Sequence, residues 1–436
     1  MVSKRVAHLG AYDTNIGDNI ALYNVRKYLE KQLDSNVEWT KVELKDFYEK
    51  SMDKQYCITR MKEISDNHDM LIIGGGGLIQ QQKPKYPNRF NLPFYKEVLD
   101  VIDIPIVCLS VGFNVFRRPK MTRDADNTNG VLFEECEEMS SVFLENLLLL
   151  IEKSSFFSFR NDGSLEKIMP YFEDYFKTSS TFKKLPKDIP ITPDPGLIFD
   201  KEQERKNTLQ NGVLQVAFNG NPEIMSGRFK ANFLNLAIMG EIQDALDLEV
   251  FPHCGKDYRF TRPLQNVGNS LRVNGQIEQH YRTIPKYQKL FYQGTLSEED
   301  YILPQDEFLK NVDYNNFNKI IDRYFQYDYS IAMRGHGQMI AMGLNIPHIS
   351  LSTQPKVYHF GVDNGFENYT LDVVKDTSPN DFFLDSYTQE IIDMTERLRS
   401  DKEYLLTWYE KRDTFIAQCK KDFSWACGAV KELLES

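Results

Sequence analysis

Tyr329-Ser330-Ile331-Ala332-Met333-Arg334-Gly335-His336-Gly337-Gln338 is the most informative stretch of the chain. The run Tyr329 to Met333 reads as a buried strand, and Gln338 to Gly343 as a short helix directly behind it. The strand therefore delivers an arginine and a histidine, two residues apart, into a glycine-flanked loop at a helix N-terminus. A strand opening into a helix, with a further strand at Pro347 to Leu351, is the repeating unit of a parallel sheet wrapped by helices. The loop also carries chemistry. Arginine offers a planar fork to carboxylate or phosphate, the helix N-terminus adds positive potential, and histidine exchanges a proton near neutral pH. Together they suit a small acidic ligand in proton-coupled chemistry. A lone histidine is more often a packed core residue, but one between Gly335 and Gly337 beside Arg334 is hard to read as packing.

The alternation extends outward in both directions. Upstream in the same half, Val213 to Phe218 and Leu248 to His253 read as strands, with helices at Ala231 to Leu246 and Asn315 to Phe325. In the N-terminal half the strand candidates are Val6 to Gly10, Met70 to Ile73, Pro105 to Ser110 and Ser155 to Arg160. Helices are expected at Asn19 to Leu33, where Leu22, Val25, Leu29 and Leu33 share a face, and at Phe133 to Lys153. Arg117 to Gly130 reads as a polar loop. Lys201 to Asn211 is charged and polar, and marks a boundary between residues 1–205 and 206–378. From Pro379 the pattern is helical, and this tail, 379–436, is expected to pack back on the first domain. The fold class is thus α/β: two Rossmann-like, doubly wound domains facing a cleft, with a helical C-terminal tail.

Composition narrows the function. The 436 residues carry a net charge of −11, which disfavours a general nucleic-acid binder, since phosphate binding needs a basic face. The longest apolar run, Leu147 to Ile151, falls far short of the roughly 20 residues of a membrane span. Peripheral membrane contact stays compatible with the sequence. Met1-Val2-Ser3-Lys4-Arg5 leads into a strand rather than a signal-peptide core. Six cysteines without CxxC or Cys/His spacing fit reduced thiols, and hence a cytoplasmic protein.

Other candidate site residues cluster at strand ends. Asn15-Ile16-Gly17-Asp18-Asn19 follows the first strand, with Gly17 allowing a tight turn and Asp18 or Asn19 capping the helix. Gly74 to Gly77 follow the strand ending at Ile73, and Gly75 and Gly76 let the backbone approach a ligand or the facing domain. No Gly-Lys-Ser/Thr follows, so this is not a Walker loop. Arg160 and Asp162 are expected to pair at the interdomain wall, with Ser164 as an N-cap and Asp194 reaching the same surface. Lys356 and His253 are placed by topology at the second-domain edge of the cleft. No metal or cofactor is called for.

With these residues in hand, the chain resembles the polysaccharide pyruvyl transferase family. The ordered set is Asn15-x-Gly17-Asp18, the glycines 74 to 77, Ser158-x-Arg160-x-Asp162-x-Ser164, Asp194, Arg334-x-His336, Gly343-x-x-x-Pro347 and Lys356. The resemblance implies a fold similar to two-domain glycosyltransferases of the GT-B type. It also implies transfer of the carbon skeleton of phosphoenolpyruvate onto two hydroxyls of a sugar or lipid-linked oligosaccharide, giving a cyclic pyruvate ketal and phosphate. Arg334 and His336 fall on the family's Arg-x-His motif, implied to hold phosphoenolpyruvate and assist proton transfer. Gly335 departs from the leucine usual between them. Many members place an arginine after the first strand of the second domain; here there is none, and Arg228 is the substitute candidate. The donor set expected is thus Arg334, Gly335, Gly337, Lys356, Arg228 and His253, facing Asn15, Gly17, Asp18, Gly75, Gly76, Arg160, Asp162 and Asp194 on the acceptor side.

Two rivals stand beside this. A GT-B-type glycosyltransferase with a nucleotide-sugar donor would want an acidic ribose contact after the helix beginning near Gln338, and Asp363 is the nearby candidate. A non-catalytic carbohydrate-binding protein has no reason to set Arg334 and His336 together.

Overall fold

The computed structural model describes residues 3–12, 15–33, 36–48, 53–82, 86–114, 118–123, 129–134, 138–215, 242, 245–251, 253, 314–352, 355–372 and 387–436. Its strands are β1 (Lys4–Gly10), β2 (Val37–Glu43), β3 (Met70–Ile79), β4 (Ile106–Phe113), β5 (Arg118–Arg123), β6 (Asn129–Glu134), β7 (Phe156–Arg160), β8 (Ile191–Thr192), β9 (Gly212–Gln215), β10 (Leu248–Val250), β11 (Tyr329–Ala332), β12 (His348–Ser352) and β13 (Thr370–Asp372). Its helices are α1 (Ile16–Gln32), α2 (Lys45–Tyr48), α3 (Lys54–Asn67), α4 (Lys96–Leu99), α5 (Ser141–Lys153), α6 (Ser164–Thr178), α7 (Tyr314–Tyr324), α8 (Gly335–Gly343), α9 (Pro355–Asp363), α10 (Thr388–Ser400) and α11 (Lys402–Glu435).

All of these strands but β5 and β6 form two parallel sheets. The first runs β2-β1-β3-β4-β7-β8 and the second β10-β9-β11-β12-β13. Strands β4 and β12 are buried along their whole length and so covered on both faces; β4 reads as a nearly continuous apolar run, whereas β12 buries His348, Ser350 and Ser352 as well as Ile349 and Leu351. Helix α1 starts where Asn15, in extended backbone, accepts from the Gly17 N–H at 2.8 Å; it buries Val25 and Leu29 among first-sheet residues such as Val6 and Ile72, while Ile20 packs with Val213 and Ile340 of the second half. One apolar cluster continues from Val25 and Leu29 through Leu197 and Met339 to Trp408, so the two halves share core as well as surface.

The helical tail touches both halves. In α11, Trp408 is fully buried against His348 of the second sheet. Further along, Phe423 meets Tyr28 edge-on, and Ser424 Oγ accepts from Gln32 Nε2 at 3.0 Å. Arg412, buried at the pivot, donates to the carbonyls of Met342 (2.8 Å) and Gly343 (2.9 Å), closing the C-terminal end of α8.

Several expectations need correction. The strand predicted to end at Ile73 continues through all four glycines to Ile79, pairing Gly74 with Leu109 and Gly76 with Val111 of β4. Glycine is a poor strand former, so composition hides a strand that needs bare backbone for close packing. The helix predicted from Gln338 begins at Gly335, with Arg334 as its N-cap, because the two glycines form its first turn. The predicted helix from Phe133 starts only at Ser141, and the predicted polar loop before it holds an antiparallel pair, β5 with β6. β2, α3 and β13 went unread. Most of the predicted helix Ala231 to Leu246 lies outside the described residues, as do Val216 to Phe218.

Candidate active site

In each sheet the strand order reverses beside its first strand, between β1 and β3 and between β9 and β11. Open parallel sheets bind ligands in the crevice beyond the carboxyl ends of the strands at such a point. Asp18 follows β1, Gly76 lies in β3, and Arg334 and His336 follow β11. The two crevices meet. His336, from the second sheet, sits between two carboxylates of the first: its Nδ1 is 3.4 Å from Asp18 Oδ1 and its Nε2 is 3.3 Å from Asp194 Oδ2.

The close approach explains Gly17. Its backbone φ is ordinary, so the tight-turn reason expected for it does not hold. A Cβ there would lie 2.7 Å from His336 Nδ1 and closer still to the ring's Cβ and Cγ. The first turn of α1 is bare so that His336 can rest on it. The same turn is tied across the seam by its Ile16 N–H, which donates to the His253 carbonyl at 2.9 Å.

Behind His336 lies a buried ionic chain. Arg160 donates through Nε (2.7 Å) and Nη2 (2.5 Å) to Asp162, and through Nη1 (2.8 Å) to Asp194. Asp194 also accepts from the Gly196 N–H at 2.6 Å, and Asp162 from the Ser164 hydroxyl. Burial opposes the charge on Asp194, but the charges on His336 and Arg160 outweigh it and hold the carboxyl below the usual carboxylate range. Burial likewise works against the Arg160 cation, and Asp162 and Asp194 overcome it. A pair broken here would leave an uncompensated buried charge. The expected Arg160–Asp162 pairing is present, whereas Ser164 is not the N-cap: Gly163, at φ +75°, precedes α6, and the Ser164 hydroxyl accepts from Phe113 N–H at 2.7 Å.

Lys356, half-buried in the first turn of α9, donates to Asn114 Oδ1 at 3.1 Å across the seam. Burial, with Arg160 and Arg334 nearby, pushes its ammonium down to about 8, against the pull of Asp18 and Asp162. Lys356, Arg334, His336, Asp18 and Arg160 therefore belong to one electrostatic neighbourhood.

The remaining candidates divide. Gly75, at φ +83°, abuts the backbone of α1, and Gly74 abuts the Leu109 carbonyl, so both serve packing. A Cβ on Gly76 would lie 3.0 Å from Asp18 Oδ1, which sets Gly76 as the floor under that carboxylate. Gly335 has nothing within 4 Å of where its Cβ would be, whereas Gly337 lies against Gln215. His253 is buried with Nε2 at 2.6 Å from the Tyr324 hydroxyl; burial, then the charges of Arg334 and His336, keep it neutral. Asp363 faces His359 at 3.3 Å. Arg228 lies outside the described residues. Sequence reading missed Asn114 and Gly112, where a Cβ would strike the Arg160 guanidinium at 2.7 Å. Their signal was position alone, one at and one just past the carboxyl end of β4.

Two solved structures share an overall path with the chain at low similarity. An alpha-glucosyltransferase in complex with UDP matches at 10% identity and TM-score 0.42, over 99% of this chain and 100% of that one. UDP-GlcNAc 2-epimerase from Methanocaldococcus jannaschii, in complex with UDP-GlcNAc and UDP, matches at 10% identity and TM-score 0.42, over 92% and 93%. Both likenesses are faint, and the fold description rests on the two parallel sheets themselves. No curated protein matches the chain by sequence. A family model described as polysaccharide pyruvyl transferase matches residues 15–355, from the N-cap of α1 to the start of α9. The chain belongs to the polysaccharide pyruvyl transferase family.

Proposed function

We propose that the protein forms a cyclic pyruvate ketal on a sugar, taking phosphoenolpyruvate as donor. The observation that carries this reading is the convergence of Arg334, Lys356 and the N-terminal turn of α8 around His336, opposite Asp18. Phosphoenolpyruvate brings a carboxylate and a phosphate to the same small volume, and needs cationic or N–H-rich groups aimed at both. In this reading Arg334 clamps one anionic group, with Lys356 neutralising the other. His336 gives a proton to the methylene carbon, which leaves C2 open to attack by a sugar hydroxyl. Phosphate departs and a second hydroxyl closes the ketal. The donor side is the second domain, and the acceptor enters past α1 and β3.

The buried ionic chain supports the proton role. Asp194 faces Nε2, and Nε2 is shut from solvent. Proton exchange with a ligand is therefore assigned to Nδ1. We place the reaction in the cytoplasm, where thiols such as buried Cys57 and Cys108 stay reduced. No helix among the described residues is long and apolar enough to cross a membrane.

The test compares His336→Asn with the parent in single-turnover phosphate release from phosphoenolpyruvate, across pH, with a panel of p-nitrophenyl glycosides. General acid–base groups contribute about 10²–10⁴-fold, so turnover should fall within that range while donor affinity changes little. A variant with the parent's rate and pH profile removes His336 from the chemistry.

A further inference from the structure

The carboxylates around His336 are not equivalent. Asp162 and Asp194 are fully buried, and both are bonded to Arg160. Asp162 is further engaged by the Ser164 hydroxyl and Asp194 by the Gly196 N–H. Their lone pairs are committed to holding the interdomain wall. Asp18 differs in each respect. Its side chain keeps 21% of its surface open, its Oδ1 lies 3.4 Å from His336 Nδ1, and Gly76 forms a bare floor beneath it. It also stands in the first turn of α1.

From this arrangement we infer that Asp18 is the catalytic base that takes the proton from the attacking hydroxyl of the acceptor. The inference rests on the ketal-forming reading given above. His336 Nδ1–H transfers its proton to the donor's methylene carbon, making it a methyl group. The first sugar hydroxyl forms its O–C2 bond and its O–H bond breaks, the proton passing to Asp18. The C2–O bond to phosphate then breaks, and the electron pair leaves with phosphate. The second hydroxyl forms the other O–C2 bond, and its proton goes to the departing phosphate. Asp18 hands its own proton to Nδ1 across the 3.4 Å gap, which restores both groups for the next cycle. Two hydroxyl protons are released, one replaces the proton spent on carbon, and one leaves with phosphate.

The placement also separates the roles of the two domains. The donor's proton source is carried by α8 of the second sheet and the acceptor's base by α1 of the first. They touch only because Gly17 lets the ring settle on the α1 turn. Seating the two domains together is then what completes the proton circuit.

The test uses the full chain with Asp18→Asn and Asp18→Glu. Phosphoenolpyruvate binding is measured by calorimetry, and phosphate release with the same glycoside panel is followed across pH. Asp18→Asn keeps the shape and removes the base. It should bind phosphoenolpyruvate within about threefold of the parent, lose about 10²–10⁴-fold in acceptor-dependent kcat/KM, and lose the acid limb of the pH profile. Asp18→Glu keeps the carboxylate one methylene further out, and should recover part of the rate together with the acid limb. Equal losses in donor binding and turnover would make Asp18 a donor-site residue and overturn the assignment. Retention of the parent rate by Asp18→Asn would overturn it too. If Asp18→Asn fails to fold, Asp18→Glu decides: a folded Glu variant without an acid limb refutes the role. A parent that fails to bind phosphoenolpyruvate overturns the donor reading itself, and this assignment with it.

Discussion

Gly17→Ala is a small substitution with a sign that the structure fixes. Gly17 is in the first turn of α1 with ordinary φ, and alanine in a helix is favoured over glycine by about 0.5–1 kcal/mol. Local propensity alone therefore predicts a more stable protein. The contact predicts the opposite. The new methyl would lie 2.7 Å from His336 Nδ1 and nearer to two ring-stem carbons, where an ordinary carbon contact needs about 3.5–4.0 Å. His336 would have to retreat by more than about 1 Å. It has little room, because α8 is buried along most of its length and its far end abuts Leu197 and Phe199. Overpacking of this kind costs about 1–3 kcal/mol, which outweighs the propensity gain. A misplacement near 1 Å at a reacting group can lower the rate by about 10²-fold. Urea unfolding and single-turnover phosphate release should therefore both register a loss. The pair can also be tested in a cycle: His336→Gly removes the opposing Cβ and should restore much of the stability, though not the activity, of Gly17→Ala. If Gly17→Ala alone is as stable as the parent or more so, with an unchanged rate, His336 does not rest on α1.

Gly335→Ala should show the contrary behaviour: with open space at its Cβ position and ordinary φ, it is expected to leave stability unchanged or raise it by up to about 1 kcal/mol in urea unfolding. Arg412→Gln should destabilise by about 2–3 kcal/mol, because two buried carbonyls at the end of α8 lose their donors; chemical denaturation measures it. For Lys356 the sign follows from an ammonium pushed down to about 8: as pH rises through 8 the charge is lost, and phosphoenolpyruvate affinity should fall up to about tenfold per pH unit above it. Lys356→Arg should flatten that fall in calorimetric titrations between pH 6.5 and 9.5. His348, packed against Trp408 and Phe366, is pushed down by burial to about 3, so below pH 6.5 the unfolded chain takes a proton that the folded chain refuses. Stability should drain as pH falls from 6.5 toward 3, by about 2 kcal/mol at pH 5, and His348→Phe should remove that part of the loss.

The central parallel strands, though not the edge strands β2 and β13, were legible because buried strands announce themselves as largely apolar runs, as at Ile106–Phe113 and Tyr329–Ala332. What escaped was structure held by something other than apolar patterning. The glycine extension of β3 is held by ladder bonds and close packing, and the β5–β6 pair by its antiparallel ladder. At the site, Arg334, His336, Lys356 and Asp194 could be named from residue type and strand-end position. Their assembly could not, since it depends on two switch points meeting across a seam. Gly17 illustrates the difference. Sequence offered a turn as its reason, but the reason is a histidine 319 positions away in the chain, which only the tertiary fold brings near.

The most direct test of the central claim is a thermal unfolding comparison of the parent and Arg334→Lys with phosphoenolpyruvate and with a panel of nucleotide sugars. Ligand present at about 100 times its Kd stabilises the folded state by about 2.7 kcal/mol, well within reach of the measurement. Phosphoenolpyruvate is expected to raise the parent's Tm. Arg334→Lys keeps the charge but loses the bidentate fork, which should weaken donor binding by about 1–3 kcal/mol and remove from about a third to nearly all of the rise. A Tm rise with a nucleotide sugar and none with phosphoenolpyruvate would contradict the account.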